Sequence, residues 1–277
     1  METVKIKDSN IAHDLSTSPG KGPTHFKWIR DNSPADEFTF ITDLHLHQHL
    51  HSNSIAWLLE PPSVNPGIYK FALENKNNYK YILTFSQELI DRCNNALFYP
   101  FGGTRLMPGE YGLYTEEKCK TASIILSDKQ FTNGHKFRHR CKDLCLSSEA
   151  NVDVYLPKTG EYTSKLDACI EYMFSVVVEN GVYDDYFTEK IIDCFLSGVI
   201  PIYCGTSNIG KYFDNRGIIQ FKNLAELEKI LPTLNKDTYF NKIEYVKNNY
   251  KKAAAEYCIA EDWIYNNYTF LYNYEEN

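Results

Sequence analysis

Residues 174–205, FSVVVENGVYDDYFTEKIIDCFLSGVIPIYCG, constrain the fold more than any other stretch of the chain. Two apolar, β-branched runs, 175–178 and 199–203, flank an amphipathic segment from Glu189 to Leu196. Strand, loop, helix and strand in that order make the repeating unit of a parallel α/β sheet. The pair Glu189–Lys190 falls at the start of the helix, where unsatisfied N–H groups and the helix dipole favour an anion. Glu179 and Asn180 leave the first strand at its carboxyl end, where open parallel sheets hold their ligands. The pattern predicts a site for a phosphate-bearing ligand.

Phe174-x-x-x-x-Glu179-Asn180, then Asp185-Tyr186-x-Thr188-Glu189-Lys190, then Gly198-x-Ile200-Pro201-Ile202-x-x-Gly205 resembles the signature of family-10 glycosyltransferases, the α-1,3/4-fucosyltransferases, in order and spacing. The bacterial members, with their TEKIID…PIYWG run, are nearest, and Cys204 stands here where they carry Trp. The resemblance covers residues 120–221 well and 55–103 loosely. It implies an α/β fold of two Rossmann-like domains facing across a cleft, the GT-B architecture. The donor is then expected in the C-terminal domain and the acceptor in the cleft.

The rest of the chain fits two α/β domains. Short apolar segments at 38–41, 55–59, 80–85 and 96–99 read as strands, with a turn at 87–93. They predict an N-terminal acceptor-side domain over residues 1–113. Segments 122–126 and 152–155 read as strands, and 136–147, 223–231 and 238–257 as helices. With the motif region they predict a nucleotide-sugar domain over 114–277. The aromatic tail, 263–274, is expected to pack back on the other domain. Residues 1–36, broken by Ser, Pro and Gly, read as loop-rich.

A net charge of −7 argues against a nucleic-acid partner. No apolar run approaches the roughly 18 residues that span a bilayer, and METVKIKDSN carries no export-type apolar segment. The eukaryotic relatives are anchored Golgi proteins. Here the expectation is no membrane span and a cytoplasmic home, in a bacterium or a virus-infected host. Eight scattered cysteines are then expected as reduced thiols. Cys141 and Cys145 lie one helical turn apart, but no further metal ligands are evident beside them.

A departing nucleoside diphosphate needs its charge neutralised. The chain contains no Asp-x-Asp to hold a metal for that task, so cations and helix N-termini are the expected substitute. No cofactor is expected, and a divalent metal is at most stimulatory. The resemblance implies that Arg138, in Gly134-His135-Lys136-Phe137-Arg138-His139-Arg140, grips the diphosphate with Lys190, with Lys136 and Arg140 competing for that alignment. It implies that Glu189 accepts from the ribose hydroxyls and that Asn180 and Tyr186 line the same pocket, with Glu179 and Thr188 completing the donor residues. An inverting transfer also needs a base. Glu60, ending a buried run before Pro61-Pro62, matches the family's proposed base, with Glu88 in reserve.

The expected reaction moves a sugar, GDP-fucose by resemblance, onto an oligosaccharide or glycoprotein hydroxyl. Another donor such as UDP-xylose, or a non-catalytic nucleotide- or sugar-binding module, would share much of the same motif. Gly205 to Lys211 fits the first part of a phosphate-binding P-loop, but Tyr212 stands where the Mg²⁺-binding hydroxyl belongs. His45, His47, His49 and His51 would share one face of an extended strand and could there bind a divalent metal. An exposed loop or edge strand is the favoured reading.

Overall fold

The computed structural model describes residues 2–8, 16–100, 102–156 and 164–272. The chain divides into two compact units. One takes in the described residues of Met1–Gly103, Asp184–Tyr186 and Ile259–Asn277, and the other Thr104–Tyr183 and Phe187–Cys258. Residues 104–113, assigned to the first domain on sequence, thus group with the second unit, and 259–272 group with the first. Tyr274 of the aromatic tail lies outside the described residues.

The first unit is built on β1 (Glu2–Lys7), β2 (Phe26–Ile29), β3 (Phe40–Thr42), β4 (Ile55–Trp57), β5 (Tyr81–Thr84) and β6 (Ala96–Phe98). They form one parallel sheet in the order β2-β1-β3-β4-β5-β6. Helices α1 (Pro66–Glu74) and α2 (Gln87–Arg92) connect the later strands. Phe26, Phe40, Trp57 and Tyr99 pack with Ile264, Leu271 and Tyr272 in the core, so the C-terminal helix Ala260–Asn267 covers this sheet. Two neighbouring carboxylates on that helix hold the N-terminal segment. Glu261, fully buried, accepts from Thr17 N at 2.8 Å and Oγ1 at 2.6 Å, and Asp262 accepts from Thr24 N at 2.7 Å and Oγ1 at 2.6 Å.

Among the described residues of 1–36, two strands interrupt the expected loops: Phe26–Ile29, and Glu2–Lys7, which alternates, buries Val4 and Ile6, and pairs on both edges. The histidine stretch is not extended, because Asp43–His47 forms a 3-10 turn. Its imidazoles are dispersed accordingly. His45 stacks on His49 with ring centres 6.0 Å apart, His47 packs on Phe71 at 4.2 Å, and His51 Nδ1 accepts from Asn53 N.

The second unit carries β7 (Lys120–Ile125), β8 (Val152–Tyr155), β9 (Tyr172–Val178), β10 (Ile200–Cys204) and β11 (Ile219–Gln220), all parallel, in the order β11-β10-β9-β7-β8. Every residue of β9 and β10 is buried, as expected of strands covered by helices on both faces. Helices α3 (Asn133–Ser147), α4 (Glu189–Leu196), α5 (Leu224–Ile230), α6 (Lys236–Phe240) and α7 (Ile243–Lys252) surround the sheet. The run expected as one helix over 238–257 is interrupted at Asn241–Lys242 and closes in a π-helical turn, Ala253–Tyr257. Strand order reverses direction between β7 and β9. That switch point, at the carboxyl ends of the strands, is where such sheets bind ligands.

Candidate functional site

The carboxyl ends of β7 and β9 place α3 and the Glu179–Asn180 segment side by side. Thr132 caps α3: its Oγ1 accepts from His135 N at 3.0 Å and meets His135 Nδ1 at 2.8 Å. Gly134, on the first turn, lies against the chain leaving β9. A Cβ there would stand 2.3 Å from Glu179 O and 2.5 Å from Asn180 O. One turn later Arg138 is buried, with Nε 3.0 Å from Val178 O and Nη2 3.0 Å from Asn180 Oδ1. The guanidinium is thus tied to the last carbonyl of β9. Lys136 and Arg140 are not buried, so of the three candidates Arg138 is the one locked to the strand end.

Thr188 is the N-cap of α4 and accepts from Lys190 N at 3.4 Å. Lys190 Nζ lies 2.9 Å from Thr188 Oγ1, 3.2 Å from Glu189 Oε1 and 3.4 Å from Glu179 Oε2. Glu179, Thr188, Glu189 and Lys190 are therefore joined by direct contacts at the start of α4, and Arg138 is joined to Asn180, the residue after Glu179. Burial works against ionisation of Glu189, but Lys190, Lys165 and Arg105 outweigh it and hold its carboxyl below the ordinary range. His135 is pushed down to about 4 by burial and by Arg138, Lys129, Lys190 and His139 around it. It is therefore neutral at pH 7, and the neighbourhood is electropositive.

Sequence reasoning missed Lys165, Arg105 and Asp193. Asp193 sits one turn after Glu189 on α4 and is buried. It pairs with Lys165 and accepts from Arg105 N at 2.9 Å and Thr104 Oγ1 at 2.5 Å. The four-residue spacing from Glu189 to Asp193 was the available signal; nothing local points to Lys165 or Arg105.

Two predicted site residues belong to the first unit. Tyr186 is buried with its ring 4.8 Å from that of Phe85. Glu60 follows β4, and its backbone is fixed on both sides. Its N–H faces the buried Asp43 carboxylate at 3.3 Å, and its carbonyl accepts from Tyr69 Oη at 2.9 Å. Glu88 instead pairs with Arg92 on the exposed surface of α2. The P-loop reading fails on local structure, since β10 runs into a single 3-10 turn, Ile209–Lys211, rather than a helix that could cradle phosphates. None of the eight cysteines is in a disulfide. Among the described residues no three His, Cys, Asp or Glu side chains assemble as metal ligands, and no helix is long and apolar enough to cross a membrane.

A parallel α/β unit with cations gathered at its switch point is what this fold and site define. The model of glycosyltransferase family 10 (fucosyltransferase), C-terminal part, matches residues 115–263, more than half of the chain, and the protein belongs to that family. Alpha-(1,3)-fucosyltransferase FucT of Helicobacter pylori is 29% identical over 126 residues, which are 37% of this chain and 26% of the relative. The mouse 4-galactosyl-N-acetylglucosaminide 3-alpha-L-fucosyltransferase 9 is 27% identical over 133 residues, 43% of this chain and 37% of that protein. The matched segments thus span well under half of these relatives' lengths.

Among solved structures, an α1,3-fucosyltransferase with GDP-fucose superposes with a TM-score of 0.57 at 16% identity, over 91% of this chain and 82% of that one. The same kind of enzyme with GDP gives 0.57 at 15% identity, over 99% and 92%. The α/β fold with parallel sheets is the expected one.

Proposed function

We propose that this protein is an inverting glycosyltransferase that moves fucose from GDP-fucose to a glycan hydroxyl. The observation that carries the reading is the cluster at the β7/β9 switch point, where Arg138 is bonded to Val178 O and Asn180 Oδ1 at the strand end and Lys190 faces Glu179 and Glu189 at the start of α4. Such a cluster suits a nucleoside diphosphate: the cations and helix N-termini meet the phosphates, and an ionised Glu189 accepts from ribose hydroxyls. Positive charge fixed in place favours the diphosphate most strongly as the glycosidic bond breaks and its charge grows.

In this reading Glu60 takes the proton from the attacking acceptor hydroxyl, and no cofactor is required. GDP-fucose is favoured over other donors because structurally similar enzymes were solved with GDP and GDP-fucose. The acceptor class follows the mouse relative's name, a 4-galactosyl-N-acetylglucosaminide. Cysteines outside any disulfide suit a reducing cytoplasm.

A thermal-shift panel of GDP, UDP, ADP and their sugars, followed by transfer assays with the nucleotide sugar that binds, tests the proposal. Stabilisation by GDP and turnover of GDP-fucose are expected. Selective binding of UDP would replace the donor, and binding without turnover of any sugar would make the protein a binding module.

A further inference from the structure

Glu179 is the one charged residue of the cluster to which the proposed transfer gives no task. Its side chain is fully screened from solvent, and both oxygens are committed within the protein. Oε1 accepts from Thr188 N at 3.0 Å, and Oε2 accepts from Thr188 Oγ1 at 2.8 Å while facing Lys190 Nζ at 3.4 Å. The carboxylate is also wedged sideways, since a Cβ on Gly205 would lie 2.9 Å from its Cγ. An ammonium has three N–H groups. Those of Lys190 have Thr188 Oγ1, Glu189 Oε1 and Glu179 Oε2 as neighbours.

We infer that Glu179 is not a donor ligand but a positioning residue, which holds the Lys190 ammonium through Thr188 so that it meets a nucleoside diphosphate at the start of α4. The inference rests on the donor reading above. A carboxylate buried this deeply must be paired or hydrogen-bonded, and Lys190 is the cation it touches. The flexible lysine stem is thereby ordered before the ligand arrives, so less rotamer freedom is lost on binding. A glutamine at position 179 keeps the shape but sets its amide N–H groups either against Thr188 N–H or against the ammonium, and it removes the negative charge that holds the head group.

The test is calorimetric titration with GDP of the wild type, Glu179→Gln, Lys190→Ala and the double variant. Glu179→Gln is expected to weaken GDP binding about tenfold, and the double variant to bind within about twofold of Lys190→Ala alone, because the effect travels through Lys190. Penalties that add, or a Glu179→Gln protein that melts lower but binds GDP as the wild type does, would overturn the inference. Should Glu179→Gln not fold, Thr188→Val against Thr188→Ser asks the same question. The hydroxyl-free variant is expected to lose GDP affinity about tenfold and the serine variant to keep it; equal affinities would refute the role. A wild type that ignores GDP sinks the donor reading itself, a failure visible before any variant is made.

Discussion

Replacing Gly134 with alanine is a stringent trial of the geometry at the β7/β9 switch point. On an unobstructed helix this change stabilises by about 1 kcal/mol through backbone entropy. Here the added Cβ meets backbone alone, 2.3 Å from Glu179 O and 2.5 Å from both C and O of Asn180. Ordinary C···O contact begins near ~3.3 Å, so α3 and the strand end must separate by about 1 Å. The hydrogen bond from Arg138 Nε to Val178 O, now 3.0 Å, then lengthens to roughly 4 Å, beyond bonding distance, and the one from Nη2 to the same carbonyl, now 2.5 Å, stretches to roughly 3.5 Å.

Overpacking costs about 1–3 kcal/mol, and losing a bond from a charged donor costs about 1.5–3 kcal/mol more. Less the propensity gain, the net loss is about 1.5–5 kcal/mol. For a unit of this size that corresponds to a fall in melting temperature of roughly 3–20 °C. Differential scanning calorimetry measures it, with Gly67→Ala as the matched control, since nothing lies within 4 Å of a Cβ there. A Gly134→Ala protein that melts with or above the wild type would refute the packing argument.

Arg138→Ala removes charge-assisted bonds worth about 1.5–3 kcal/mol and is expected to slow transfer from the nucleotide sugar about 10- to 150-fold; full activity would remove Arg138 from the donor site. Glu60→Gln preserves shape without basicity and should cost about 10²–10⁴ in kcat, while GDP affinity stays at the wild-type value. Lys118, buried with Nζ 2.9 Å from Cys169 O and 2.8 Å from Ser197 O, is pushed down to about 8 by burial, from an ordinary 10.5. Between those two values the unfolded chain binds the extra proton, so this residue adds stability as pH rises, by about 3 kcal/mol at most. The difference in unfolding free energy between wild type and Lys118→Met, measured in urea from pH 8 to 10, should therefore grow with pH; a constant difference would contradict the assigned burial.

The core of the site was legible in sequence because its parts are local. Thr188, Glu189 and Lys190 form a helix start that their residue types announce, and the β-branched runs before Glu179 and after Gly198 can be little else than buried strands. Arg138 was legible as one of three cations but not as the chosen one, because burial of its stem against Val178 is a tertiary fact. Lys165 and Arg105 were invisible for the same reason: their partner Asp193 lies 28 and 88 residues away in the chain. β1 was overlooked because its alternation of Lys with Val and Ile looks polar until both edges find partners. Of the two readings of the histidine repeat, the structure has the loop and not the extended strand. Asp43, at φ 35° with its carboxylate bonded to Leu59 N, bends the chain into a 3-10 turn, and a period of two then loses its meaning.

The closing of the first sheet by Ala260–Asn267 and Leu271 bears on how the polypeptide is made. A ribosome delivers all six strands of that sheet before residue 103, yet the residues that seal Phe26, Phe40 and Trp57 from water emerge only after the whole second unit has been translated. The nascent first sheet must wait with an open apolar face while its neighbour, complete by Cys258, is free to fold. Chaperone demand during synthesis is therefore expected to fall on the amino-terminal half, and stop codons just upstream of Ile264 to unravel the beginning of the protein rather than its end.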